Sequence, residues 1–248
     1  MRYLIDFSYD GSEFYGIQKQ PGLRTVQNEI EKVLTSINNR QVIIFPAGRT
    51  DAKVNALHQM AHFDFDTNIS PVKLKGALNS YLPSDIRIND VVIVKDDFHA
   101  RYMVKSKLYE YRINMGLYNP LERKYVFQYG KELNVNKIKQ AAKYLEGTHD
   151  FTTFASSQDL RKNMVRTIDK IKVSVSKNVL SITFLGSGFL KYQVRNMIGL
   201  FIKIGEGKSN ATCIPEYIDK KDRRLIGVTA PPEGLTLVKI NYKKNSFI

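Results

Sequence analysis

Apolar residues follow two different periods along the chain, and each change of period marks a new predicted element. Residues 3–9 alternate loosely, as a strand does, and the turn residues Asp10-Gly11-Ser12 follow. From Val26 the apolar positions recur about every 3.6 residues, which predicts a helix that Thr25 can cap. The first half continues with a short strand over 42–45, a strand over 61–66, a helix from Ser70-Pro71 with Leu74, Ala77, Leu78 and Tyr81 on its inner face, and a strand over 86–94.

The second half repeats this order of elements, although the letters themselves do not repeat. A strand with Tyr109, Tyr111 and Ile113 on one face precedes a helix that begins near Val135 and ends at Gly147. The remaining elements are two strands over 171–175 and 180–184, an amphipathic helix over 190–202 and a last strand over 235–242. Both halves therefore have the order βαββαβ of a ferredoxin-like unit.

This pattern predicts an α+β fold with two ferredoxin-like halves, residues 1–103 and 104–248. The two halves can join edge to edge into one mixed, mainly antiparallel sheet with the helices behind it. We expect a central cleft in front of that sheet, and such a cleft could hold an RNA arm.

Composition favours a folded, basic protein that binds a polyanion. The 248 residues include 38 Lys and Arg against 24 Asp and Glu, a formal net charge of +14, and 43% of them are hydrophobic, enough for an ordinary core. The positive surplus is spread along the chain, with its densest cluster at residues 220–224. A folded surface that neutralises phosphates is therefore favoured over a basic tail, and a solvated basic surface is the alternative.

Neither a membrane segment nor a metal site is expected. The longest apolar stretch ends at Lys203, the first six residues carry charges, and Cys213 has no cysteine with which to pair, so a reducing cytoplasm fits best. His58 and His62 are four residues apart, but on a strand they would lie roughly 13 Å apart, too far to share a metal ion. Hydrogen-bonded or solvent-facing histidines are the better interpretation.

The most informative segment is the predicted loop over residues 47–56, Ala-Gly-Arg-Thr-Asp-Ala-Lys-Val-Asn-Ala, which lies between two strands. Loops are a frequent place for catalytic residues. Taken alone, Asp51 is more often a turn residue whose carboxylate accepts backbone amides, and Arg49 is more often its surface partner.

Together with other blocks, this loop resembles that of the tRNA pseudouridine synthase A family. Gly48-Arg49-Thr50-Asp51-Ala52, with Val54 and Ala56, is similar to the family's signature loop. Further similar blocks follow the family's order over nearly the whole chain: Tyr9-Asp10-Gly11, Phe14, Gly16, Gln18, Gln20-Pro21, Thr25-Val26-Gln27, Phe98-His99-Ala100-Arg101, Lys107-Leu108-Tyr109-Glu110-Tyr111-Arg112-Ile113, Asp150-Phe151-Thr152, Arg166-Thr167-Ile168, Phe189-Leu190, Val194-Arg195-Asn196-Met197 and Ala230-Pro231-Pro232-Glu233-Gly234-Leu235.

The resemblance implies the pseudouridine synthase fold and an activity that uses no cofactor and no metal. Such isomerases detach uracil from its ribose, rotate it and rejoin it through carbon 5. Asp51 stands at the family's essential aspartate, whose carboxylate can attack carbon 1′, add to carbon 6 or remove a sugar proton, and the sequence does not choose among these routes. Arg195 matches the family's arginine that pairs with this aspartate. Such a cation is needed because burial without one would raise the pKa of Asp51.

The resemblance also implies how the substrate is bound. Tyr109 matches the aromatic residue that stacks on the target uracil, and the base must first leave its helix. Gly48, Arg49 and Thr50 complete the expected substrate-binding set, and Arg49 could fill the vacated space. The implied substrate is uridine at positions 38, 39 and 40 in the anticodon stem-loop of tRNA. The implied enzyme is a cytoplasmic homodimer that grips one tRNA with both subunits.

Four residues depart from the family pattern: Lys53 replaces a glycine, Asn55 a histidine, His58 a small residue and Ile17 a tryptophan. Glycine often serves where φ is positive, so Lys53 implies either a relaxed turn or tolerated strain. Two alternatives therefore stand beside the isomerase. One is a divergent, non-catalytic tRNA-binding or RNA-folding protein of the same fold, and the other is a hydrolase that stops after the glycosidic bond breaks.

Overall fold

The structure is a computed structural model, and it describes residues 1–159 and 162–243. Two compact units make up the chain. The first comprises Met1–Lys105 together with the described residues from Leu237 onward, and the second comprises Ser106–Thr236.

Strands and helices alternate along both units, and two single turns of 3₁₀ helix lie at Thr152–Phe154 and Arg223–Leu225. The strands and α-helices in chain order are β1 (Arg2–Tyr9), α1 (Val26–Asn38), β2 (Phe45–Pro46), β3 (Asn55–Asp64), α2 (Pro71–Tyr81), β4 (Ile86–Val94), β5 (Val104–Asn114), β6 (Phe127–Gln128), α3 (Val135–Leu145), β7 (Gly147–Asp150), β8 (Val165–Ser176), β9 (Val179–Gly186), α4 (Gln193–Gly205), α5 (Cys213–Lys220) and β10 (Leu235–Tyr242).

In the first unit the strand order is β4-β1-β3-β10, with β1 antiparallel to both β3 and β4. The first strand lies between its neighbours because each βα connection crosses behind the sheet, as expected of a ferredoxin-like unit. Helix α1 buries Val26, Ile30 and Leu34 completely, which is the apolar face that the sequence predicted. Strand β2 adds two residues beside β3, with Phe45 opposite His62.

In the second unit β5, β9, β8 and β7 pair in that order, each antiparallel to the next, and β6 lies parallel to β5. Asn134 caps helix α3 through its side chain, which accepts from the Lys137 amide, and the helix buries Ile138 and Leu145. The α+β class and the mainly antiparallel pairing predicted from the sequence are confirmed.

Several local predictions were wrong because tertiary contacts override local pattern. The segment predicted as a strand over 42–45 pairs only from Phe45, since the Val42 and Ile44 amides donate to Thr35 and Glu31 of α1. Thr25 occupies the N-cap position of α1, but its side chain makes no capping bond. Tyr81 does not face inward and is 72% exposed.

Several elements of the second unit were not anticipated, among them β7 and α5. Gly147, the predicted end of a helix, is the first residue of β7 and has φ +107°. Helix α5 is eight residues long and buries only Ile214, too short an apolar stripe for the periodicity to reveal. None of the helices in the described residues has the length and apolar character that a membrane crossing requires.

Candidate functional site

The loop that carries Asp51 lies between β2 and β3, and the backbone of β3 and buried side chains of the first unit hold its leading half. The Ala47 amide donates to the Met60 carbonyl (2.7 Å), and Gln59 Nε2 donates to the Gly48 carbonyl (3.1 Å). The Tyr9 hydroxyl bonds the Thr50 hydroxyl at 2.7 Å. Burial raises the pKa of Tyr9 to about 12, so this hydroxyl stays neutral at physiological pH.

Segment 11–17 holds the other half of the loop through its backbone. The Lys53 amide donates to the Phe14 carbonyl (3.0 Å). A Cβ on Gly11 would lie 2.1 Å from the Val54 carbonyl oxygen, and one on Gly16 would lie 2.8 Å from that of Thr50. Only glycine permits this close approach, so the backbone of segment 11–17 packs directly against the loop.

Within this frame the functional side chains differ in exposure. Gly48 and Thr50 are buried, Arg49 is exposed and Asp51 is half-buried. The Asp51 carbonyl accepts from the Val54 amide (3.2 Å), which closes a turn. The Asp51 backbone therefore forms part of a turn, as the turn residue interpretation expected.

The four departures from the family pattern have structural explanations in the first unit. Lys53 takes φ +63°, so the strain is tolerated rather than relaxed, at a cost of about 1 kcal/mol or more. Asn55 is buried and accepts from the Gly11 amide at 2.7 Å. Ile17 is fully buried, and His58 Nδ1 bonds Asp6 at 2.8 Å.

Tyr109 and its neighbours belong to the second unit. Tyr109 lies on β5, is 7% exposed and meets the Phe189 ring edge-on at 5.2 Å between centroids. Tyr111, two residues on, is fully buried and donates to the Pro231 carbonyl at 2.8 Å. Tyr109 is thus held by packing, with a small part of its side chain accessible.

Arg195 lies in the first turn of α4, and the backbone of Ala230 and the ring of Tyr192 contact its side chain. Its Nε donates to the Ala230 carbonyl (2.7 Å), and its guanidinium carbon lies 5.1 Å from the centroid of the Tyr192 ring. The Ala230 amide returns a bond to the Arg195 carbonyl (3.1 Å). The side chain is half-buried.

The structure therefore gathers Gly48, Arg49, Thr50 and Asp51 in one loop of the first unit and places Tyr109 and Arg195 in the second. Sequence reasoning gave no role to the polar residues that hold the loop, Tyr9, Gln59 and Asn55. A signal was available for Gln59, a polar side chain at a buried position of an otherwise apolar strand face.

The densest basic cluster is largely neutralised by neighbouring acids. Lys220 pairs with Glu216 (2.5 Å), Lys221 with Asp150 (2.7 Å) and Arg224 with Asp222 (2.8 Å). The number of basic residues in this segment therefore overstates the positive charge that is available to bind a polyanion.

His62 lies inside the first unit, and its Nδ1 accepts from the Ala100 amide at 3.2 Å. Both it and His58 are hydrogen-bonded, as one of the two sequence interpretations expected. No group of three His, Cys, Asp or Glu side chains among the described residues is arranged to hold a metal ion.

His62 predicts acid sensitivity of the first unit. Burial first, and the charge of His99 second, lower its pKa from 6.5 to about 4. Because the folded pKa is the lower one, the unfolded chain takes up the proton first, and stability is lost as the pH falls from about 6.5 to about 4. We expect a loss of about 2–3 kcal/mol from this residue, measured by denaturant titration across that range.

The variant that tests this is His62→Gln, which keeps an acceptor for the Ala100 amide without titrating. It should flatten the pH dependence. An equal pH dependence in wild type and His62→Gln would contradict this prediction.

Comparison with known proteins shows which family this chain is similar to. A family model described as tRNA pseudouridine synthase matches residues 7–103 and 141–243. Proteins named tRNA pseudouridine synthase A from Streptococcus sanguinis (strain SK36) and Streptococcus gordonii (strain Challis) are 45% and 44% identical to this chain over 247 residues, covering 98% of this chain and 99% of each relative. A chain in the crystal structure of a Cbf5-Nop10-Gar1 complex is similar over 80% of this chain and 54% of its own length, with a TM-score of 0.33 and 12% identity.

Proposed function

The chain belongs to the tRNA pseudouridine synthase family, and we infer that it isomerises uridine to pseudouridine in tRNA. The observation that carries this inference is the family match across the whole Asp51 loop together with the segments that fix it. No observation favours the non-catalytic alternative, since the four departures leave the Asp51 backbone in a supported turn.

The reaction conserves all atoms. The bond between carbon 1′ and nitrogen 1 breaks, the uracil rotates and a bond forms between carbon 1′ and carbon 5. The hydrogen of carbon 5 leaves as a proton and nitrogen 1 takes up a proton, so the product is an isomer of the substrate. We assign the essential step to the Asp51 carboxylate, by any of the three routes given above. The bonds of the loop hold the Asp51 backbone, which lowers the entropic cost of positioning the carboxylate during the reaction.

The remaining site residues stay predictions from the resemblance. Arg195 would keep the Asp51 carboxylate ionised, and Tyr109 would stack on the uracil. Arg49, exposed beside Asp51, has the reach to fill the space that a flipped base leaves. Gly48 and Thr50 bond Gln59 and Tyr9, so we expect them to contribute to substrate binding through the shape of the loop.

Substrate and assembly follow the same reasoning. The net charge of +14 supports binding of a structured RNA by its phosphates. We propose the uridines at positions 38, 39 and 40 of the anticodon stem-loop as targets, with a cytoplasmic homodimer as the working form and no cofactor or metal.

The test uses tRNA labelled with tritium at carbon 5 of uridine. We expect the wild-type protein to release tritium to water, because the new bond replaces the hydrogen of carbon 5, and to leave no free uracil. A tRNA with cytidine at positions 38, 39 and 40 is the matched control and should release none. Binding without release would support the non-catalytic alternative, and free uracil would support the hydrolase.

A further inference from the structure

The loop over residues 227–231 lies directly against α4 in the second unit. A Cβ on Gly199 of α4 would lie 2.0 Å from the Val228 carbonyl oxygen, so the two backbones approach as closely as glycine allows. The same loop exchanges two hydrogen bonds with Arg195 through Ala230, at 2.7 Å and 3.1 Å. The position of the Arg195 guanidinium therefore depends on where this loop lies.

Arg223 clamps the loop onto α4. Its Nη1 donates to the Gly227 carbonyl (3.1 Å), and its Nη2 donates to Asn196 Oδ1 (2.9 Å) and Thr229 Oγ1 (2.8 Å). The Thr229 hydroxyl also donates to Asn196 Oδ1 (2.7 Å). Asn196 is fully buried and donates to the Phe154 carbonyl (2.7 Å), so the clamp ends on a residue that burial and hydrogen bonding hold in place.

The partners of Arg223 differ from those of a surface arginine. These three acceptors are a carbonyl, an amide oxygen and a hydroxyl, all neutral, and burial lowers the pKa of Arg223. Arg224, the next residue, is exposed and pairs with Asp222. A guanidinium at the Arg223 position contributes its planar fork of donors, which a lysine cannot reproduce.

We propose that Arg223 is a positioning residue for the isomerisation: it holds loop 227–231 on α4, and the loop holds the guanidinium of Arg195. The proposal rests on the proposed function, because it acts through a residue of that site. Arg223 itself touches no substrate.

The first test compares Arg223→Lys, which keeps the charge and loses the fork, with the matched control Arg224→Ala. We expect Arg223→Lys to lower kcat at least about tenfold, because a misplaced group costs rate more than affinity, with KM for tRNA and Tm close to wild type. Arg224→Ala should leave kcat unchanged. Wild-type kcat in Arg223→Lys, or a loss shared equally by Arg224→Ala, would overturn the proposal.

A second test asks whether the effect passes through Arg195. In an Arg195→Lys background, which retains a cation, we expect Arg223→Lys to lower kcat less than about twofold, because the guanidinium being positioned is already absent. A loss as large as in the wild-type background would overturn the proposal.

A third measurement does not use activity. Hydrogen exchange at Arg195 Nε, followed by NMR, should be faster in Arg223→Lys than in wild type and unchanged in Arg224→Ala. Equal exchange in all three proteins would refute the positioning role even if the chain isomerises uridine. If exchange differs among the three proteins as expected but the wild-type protein releases no tritium, the proposed function is refuted instead.

Discussion

The Asp51→Asn protein is expected to bind tRNA like wild type and to release no measurable tritium, a loss in kcat of at least about a thousandfold. The amide preserves the shape of the side chain, and the loop keeps its bonds to Met60, Gln59, Tyr9 and Phe14. Each of the three chemical routes requires an ionised oxygen, which asparagine lacks. Tritium release and tRNA binding, measured on the same preparation, provide the test.

The matched control for Asp51→Asn is Asp97→Asn, which removes one negative charge at an exposed position of the same unit. It should retain wild-type turnover, and both variants should keep the wild-type Tm. If Asp51→Asn turned over like wild type, the assignment of the essential carboxylate would be wrong, whichever family the chain belongs to.

Affinity for tRNA is expected to fall about a thousandfold when the salt concentration is raised from 50 to 200 mM. A protein that neutralises six or more phosphates releases that many counterions, and the logarithm of affinity falls linearly with the logarithm of salt concentration. Fluorescence anisotropy on the Asp51→Asn protein measures binding without turnover. A flat dependence would contradict the electrostatic account of the net charge of +14.

Single substitutions locate the charges that carry this effect. Arg49→Gln and Lys53→Gln alter exposed cations beside Asp51, and each should reduce the salt slope by about one. Lys220→Gln alters a cation that is paired with Glu216, so it should leave the slope nearly unchanged. An equal change of the salt slope in all three variants would contradict this, because it would show that ion pairing within the protein does not decide which cations contact the RNA phosphates.

Much of the fold could be predicted because apolar residues at buried positions recur with the period of their helix or strand. Strand β4 has the bounds that its branched residues predicted, and α1 buries Val26, Ile30 and Leu34 as its spacing required. The hydrophobic period does not predict a segment whose backbone amides bond to side chains and not to a neighbouring strand. The amides of Val42 and Ile44 bond α1 rather than a strand, and no local pattern reports that choice.

The sequence by itself determined the α+β class, the order of elements in the first unit, the net charge and the loop in which Asp51 stands, because each depends on residue type and spacing alone. Tertiary structure alone decided which polar groups hold that loop, which of the basic residues are neutralised and how Arg195 is oriented through Ala230. The reason is physical. Hydrogen bonds and ion pairs act over a few ångströms between residues far apart in the chain, and such contacts leave no period for the sequence to display.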